Sequence, residues 1–136
     1  MNGNLRFQNP ATMAKPPGYT HVVEITAPGR LVYIAGQLGL EPNGNMAGVG
    51  EDFRAQCKQA FENVKAALAA TGATFEDVVK INNYLTDIKH LPVFREVRDT
   101  YENTKMPPAS TTIAISALAR PDAMFEVEAI AALPPR

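Results

Sequence analysis

The chain has 136 residues, with 13 basic against 14 acidic, a net charge of −1 and 46% hydrophobic residues. That length supports one domain spanning residues 1–136, which buries roughly two-thirds of its unfolded surface and needs neither metal nor disulfide to fold. Near-neutral charge offers no footprint for a phosphate backbone, so nucleic-acid binding is disfavoured, and the composition excludes collagen, coiled coil and disorder.

The hydrophobic period changes several times along the chain. Leu5–Asn9 is a candidate edge strand, followed by a loop through Pro16, Pro17 and Gly18. Tyr19–Thr26 alternates, with Tyr19, His21, Val23 and Ile25 on one face. Ala27-Pro28-Gly29-Arg30 is a turn and Leu31–Leu40 the next strand, so the two strands are expected to pair as a hairpin. Glu41-Pro42-Asn43-Gly44-Asn45 is a second turn.

From Glu51 the period becomes helical: Phe53, Cys57, Phe61, Val64 and Leu68 form one stripe, and Gly72 is placed to stop the helix. Val78–Leu85 reads as a strand of β-branched and aromatic residues mixed with asparagine. A second helix is expected over Pro92–Glu102, with proline in its first turn and Phe94, Val97 and Tyr101 as its stripe. After Pro107-Pro108 two strands follow. Thr111–Ala117 carries Ile113, Ile115 and Ala117 on one side. Met124–Ala131 sets Phe125, Val127, Ala129 and Ala131 against Met124, Glu126, Glu128 and Ile130.

These elements predict an α+β fold: a six-stranded mixed sheet with both helices on one face. The other face, carrying Val22, Met124 and Ile130, is then open, and subunit association is its natural cover.

Few residues carry an obvious chemistry. Glu126 and Glu128 share a strand face about 6.5–7 Å apart, a spacing that suits either water positioning and proton transfer or salt bridging to neighbours. Cys57 lies on the apolar helix stripe and reads as a buried packing thiol. His21 reads as a satisfied core or interface histidine, and His90 as a solvated loop residue. No Cys/His cluster has metal-ligand spacing. Met1–Pro17 lacks the apolar core of a secretory leader, and no run reaches the roughly 18–20 apolar residues of a membrane span, so a cytoplasmic protein with no membrane contact is expected.

Pro108–Ile130, PASTTIAISALARPDAMFEVEAI, resembles the Rid (reactive-intermediate deaminase) family, also called the YjgF family. The resemblance runs nearly end to end. Gly18-Tyr19 is similar to the family's Pro/Gly-Tyr start, and Leu31–Gln37, LVYIAGQ, to its strand ending in Ser-Gly-Gln. Glu62–Ala66, Asp77–Lys80 and Glu126–Ala129 match further family patterns in the right order.

This resemblance implies a homotrimer of subunits like chorismate mutase of the trimeric type, with ligand pockets in the clefts between subunits. It implies hydrolysis of enamines and imines, such as 2-aminoacrylate, to 2-keto acids and ammonium, with no metal or cofactor. By position, Glu126 matches the water-positioning glutamate, Tyr19 the pocket tyrosine, and Thr112 a position whose backbone N–H lines the pocket whatever the side chain. Ser110 stands where the deaminases carry the arginine that grips the substrate carboxylate, and Ala35 replaces the serine before Gly-Gln. Arg98 stands at a pocket asparagine position; it either reaches the cleft and supplies the missing cation, or is a solvated or salt-bridged helix residue. Two functions follow: an imine/enamine deaminase with a non-standard anion site, or a non-catalytic trimer that binds a small metabolite or partner. The family's endoribonuclease or translation-inhibitor label is disfavoured, because the chain is near neutral and lacks a His/Lys/Arg constellation.

Overall fold

The computed structural model describes residues 3–136. Six strands and two helices follow one another as β1 (Leu5–Gln8), β2 (Val22–Ile25), β3 (Arg30–Leu38), α1 (Phe53–Ala69), β4 (Val78–Leu85), α2 (Leu91–Tyr101), β5 (Ala109–Ala114) and β6 (Phe125–Leu133).

The α+β character holds, but the strands form two sheets rather than one of six strands. β3-β6-β4-β5 make a four-stranded mixed sheet in which only β4 and β5 run parallel, and β1 pairs with β2 alone. The expected hairpin between the second and third strands does not form. β2 pairs with β1, and β3 pairs antiparallel with β6, Tyr33 facing Ile130. The reason lies at the turn. Gly29 packs so closely on the Leu133 carbonyl that a Cβ there would collide with it. Asn4 bridges the Ala27 and Leu133 carbonyls. The turn is thus anchored on the end of β6 instead of folding β3 back on β2.

The helices form where the periodicity put them. Asp52 caps α1 by accepting from the Ala55 N–H at 3.1 Å. The whole predicted stripe from Phe53 to Leu68 is buried, and Gly72 takes φ +81 after the last turn. Cys57 is completely buried, and burial pushes its thiol up to about 12, so it serves packing. Pro92 sits in the first turn of α2, whose Phe94 and Val97 are buried. Stacked and tilted rings of Phe61, Phe94, Tyr101 and Phe125 join the helices to β6.

β6 alternates as expected: Phe125, Val127, Ala129 and Ala131 are buried under α1, while Glu126, Glu128 and Ile130 face the other way. Of the residues expected on the open face, only Ile130 lies on the main sheet. Val22 is exposed on the small sheet. Met124, whose N–H donates to the Gln56 side chain at 2.8 Å, packs against the core. Tyr33, 73% exposed beside Ile130, and Ile113 join Ile130 as apolar groups on that side. β5 begins two residues before and ends three residues before the expected strand. Among the described residues no helix is long and apolar enough to cross a membrane.

Candidate active site

Tyr19, Arg98, Ser110 and Thr112, scattered over the sequence, line one cavity of about 200 Å³ between α2, β5 and the loop before β2. Ile88, Leu91 and Phe94 form its apolar wall, and Arg95 a further part of its lining.

Each polar side chain is held by the local fold. Tyr19 does not join β2, which starts only at Val22. Its ring packs edge-on against His21 at 5.4 Å, and His21 Nε2 lies 2.6 Å from the Ala14 carbonyl. His21 is thus satisfied, but as a half-buried brace of the loop rather than in the core. Thr20 anchors the same loop on β5's lead-in, donating its N–H to the Pro108 carbonyl at 3.2 Å and its hydroxyl to Pro107. Gly18 takes φ +93, and a Cβ there would lie 2.8 Å from Arg98 Nη2, so the backbone lies directly over the guanidinium.

Arg98 lies one turn beyond Phe94 on α2, with its guanidinium 5.7 Å from that ring's centroid, and is 9% exposed. Nε donates to Asp99 at 2.9 Å. Among the described residues neither Nη1 nor Nη2 has a hydrogen-bond acceptor, so the paired edge of the fork is unspent. Arg98 is thus buried rather than solvated, and it is salt-bridged to Asp99 through Nε while its Nη edge stays free.

Ser110 and Thr112 are positioned by Asn83, a fully buried residue of β4. Its amide donates to both hydroxyl oxygens at 3.2 Å. Those hydroxyls keep their own protons for a ligand. Asn83 escaped the sequence reading, although its place between the inward-facing Ile81 and Leu85 was the available signal.

Glu126 is not in this cavity. Ser110 pairs with Ile81 and Thr112 with Asn83, whereas Glu126 pairs with Tyr84, the opposite parity of β4. In one chain Glu126 and the cavity therefore sit on opposite faces of the sheet. There Glu126 packs against Gly36, at the irregularity where β3 shifts register, and any Cβ at that glycine would collide with its carboxylate. Burial, then the Glu128 charge, pushes Glu126 above the ordinary carboxylate range. Tyr84 donates to Glu128 at 2.5 Å and is itself pushed up by that bond.

Of two further groups, Glu102 went unread in the sequence and His90 departs from its expected place. Glu102, at the end of α2 and 7% exposed, has no hydrogen-bond partner for either carboxylate oxygen, and burial raises it to about 8. His90, expected in solvent, stacks on Phe53 at 4.3 Å with its Nδ1 unpartnered.

A larger open hollow of about 630 Å³ lies between the helices. Its carboxylates are already engaged, Glu96 by Arg54 and Glu62 by Tyr101, both at 2.6 Å. Among the described residues no group of three or more His, Cys, Asp or Glu is placed to hold a metal ion.

The endoribonuclease L-PSP family model matches residues 11–133. A RutC family protein of Saccharolobus solfataricus is 38% identical over 118 residues, covering 86% of this chain and 89% of its own. A 2-iminobutanoate/2-iminopropanoate deaminase of Dermatophagoides farinae is 31% identical over 82% of this chain and 83% of its own. The crystal structure of a conserved Rid-family protein of unknown function from Yersinia pestis superposes with a TM-score of 0.84 at 36% identity, over 96% of this chain and 99% of that one. With the fold, the strand-end glutamate pair and the match over 11–133 in agreement, the chain belongs to the endoribonuclease L-PSP family, that of the Rid, YjgF and RutC proteins.

Proposed function

We propose that this protein is a cofactor-independent hydrolase of 2-imino acids and their enamine tautomers, acting in the cytoplasm as a homotrimer with its sites between subunits. The observation that carries this reading is Arg98: a nearly buried guanidinium, roofed by Gly18, that turns an unspent bidentate edge toward a cavity edged by two hydroxyls. Such a fork matches a carboxylate, and here it takes the place of the arginine that Ser110 replaces.

The chemistry needs a base as well as an anion site. Because Glu126 lies across the sheet from Arg98 in one chain, a site containing both takes the cavity from one subunit and Glu126 from the next. The exposed Tyr33 and Ile113 and the half-buried Ile130, on the same face as Glu126, support burial of that face in an interface. Arg98 holds the substrate carboxylate, Tyr19 closes over it, and Ser110 and Thr112 donate to its oxygens. Glu126 takes a proton from water as the oxygen adds to the imine carbon, and returns it to nitrogen. The resulting carbinolamine loses ammonia as its hydroxyl becomes the keto oxygen. A carboxylate raised by burial is suited to both transfers.

A second reading, a non-catalytic trimer that binds an anionic metabolite, is favoured by Ser110 itself, since it keeps the cavity but omits the family's arginine. One assay separates them. An amino-acid oxidase generates imines and semicarbazide traps what is not hydrolysed; the wild type should lower semicarbazone yield, and Glu126→Ala and Arg98→Ala should not. No effect of the wild type, with activity only in Ser110→Arg, would sink the enzyme reading and leave the binder.

A further inference from the structure

The cavity holds a second cation that a simple imino acid leaves idle. Arg95 precedes Arg98 by three residues on α2 and lines the same cavity. Residues three apart on a helix carry their Cβ atoms about 5–6 Å apart, so both stems rise from one face. Among the described residues Arg95 has neither an ion pair nor a hydrogen bond, and no carboxylate lines the cavity. Asp99 engages Arg98 only at Nε and leaves the Nη edge facing the cavity free. Two guanidinium groups with unspent donors thus share a small cavity whose other polar groups are the hydroxyls of Tyr19, Ser110 and Thr112. Much of the remaining lining is apolar, from Pro17, Ile88, Leu91 and Phe94, which suits a short methylene chain rather than a third polar group.

We infer that the cavity selects a dicarboxylic 2-imino acid, with Arg98 binding the carboxylate beside the imine carbon and Arg95 the distal one. This rests on the hydrolase reading for its chemistry, but not for its geometry. It places the protein downstream of a reaction that oxidises or eliminates from a dicarboxylic amino acid. The small monocarboxylate 2-aminoacrylate is then a poor substrate, because it leaves Arg95 unused.

The test compares imines generated by oxidases from aspartate and glutamate with those from alanine and 2-aminopentanoate, reading kcat/KM in wild type, Arg95→Gln and Arg98→Gln. The contact to an exposed arginine is screened, so a preference for the diacid imines of about three- to tenfold is expected. Arg95→Gln should bring that ratio to near one, while Arg98→Gln should reduce hydrolysis of both classes. A wild-type ratio of one or below, or a ratio unchanged by Arg95→Gln, overturns the inference and leaves the hydrolase intact. If no imine is hydrolysed, the hydrolase reading fails, and calorimetry with 2-oxoglutarate against 2-oxopentanoate decides the arginine pair. Tighter diacid binding that Arg95→Gln abolishes supports it; equal or absent binding overturns it.

Discussion

Replacing Glu102 by glutamine should stabilise the protein in alkaline solution and flatten its dependence on pH. The side chain is buried at the end of α2, neither oxygen has a partner, and burial raises its carboxyl from 4.5 to about 8 against the attraction of Arg98. A group whose pKa is raised on folding holds its proton in the native state while the unfolded chain has released it. Stability contributed at low pH is therefore lost as pH climbs from about 4.5 to about 8. A shift from 4.5 to about 8 corresponds to at most about 5 kcal/mol across that window, at about 1.4 kcal/mol per pH unit. Glutamine has nearly the same shape and no proton to lose, so its stability should not fall there. Urea unfolding of both proteins at pH 5.5, 7.0 and 8.5 measures the difference directly. Equal slopes would refute the argument. A wild-type stability that stays level between pH 5.5 and 8.5 would show instead that Glu102 is already ionised in the native protein, its titration then lying near or below 4.5.

Three further outcomes follow from the same geometry. Gly18→Ala should cost about 1–2 kcal/mol, because φ +93 is strained for alanine and its Cβ meets the Arg98 guanidinium; ligand affinity measured by calorimetry should fall with it. Glu128→Gln removes the charge that, after burial, holds Glu126 up, so the acidic limb of the pH–rate profile should move to lower pH. Ile130→Lys puts a charge beside Tyr33 on the open face, and light scattering should show a dissociated or aggregated protein; a soluble, unchanged trimer would mean that another surface carries the association.

Elements set by local periodicity were legible in the sequence. The α1 stripe, the left-handed stop at Gly72, Val78–Leu85 and the two-faced β6 all express spacings visible within one segment. What depends on distant partners was not. β3 chooses β6 over β2 because Gly29 and Asn4 dock on Leu133, more than a hundred residues away. His90 stacks on a phenylalanine from another helix. Within the site, Tyr19, Ser110 and Thr112 came from family resemblance, and the cavity unites them with Arg98. The four-residue step from Phe94 to Arg98 was the signal that Arg98 turns inward. Nothing local distinguishes Arg95 from an ordinary solvated arginine, because its meaning comes only from sharing a cavity.

The parity of β4 gives the sharpest test of the composite site. Ile81 and Asn83 face the cavity side while Tyr84, paired with Glu126, faces the other, so no side-chain rearrangement within one subunit brings Glu126 around the sheet to Arg98. If the site joins two subunits, Arg98→Ala and Glu126→Ala inactivate different halves of it. Each variant alone should be inactive against imines. When the two are unfolded together in equal amounts and refolded, a site is intact wherever a Glu126→Ala subunit supplies the cavity and an Arg98→Ala subunit supplies the glutamate. Random assembly makes that about one site in four, so the mixture should regain about a quarter of wild-type activity. Mixing without unfolding should recover activity only as fast as subunits exchange. A refolded mixture of confirmed mixed trimers with no activity would show that the two groups never share a site, and the hydrolytic assignment of Glu126 would fall with it.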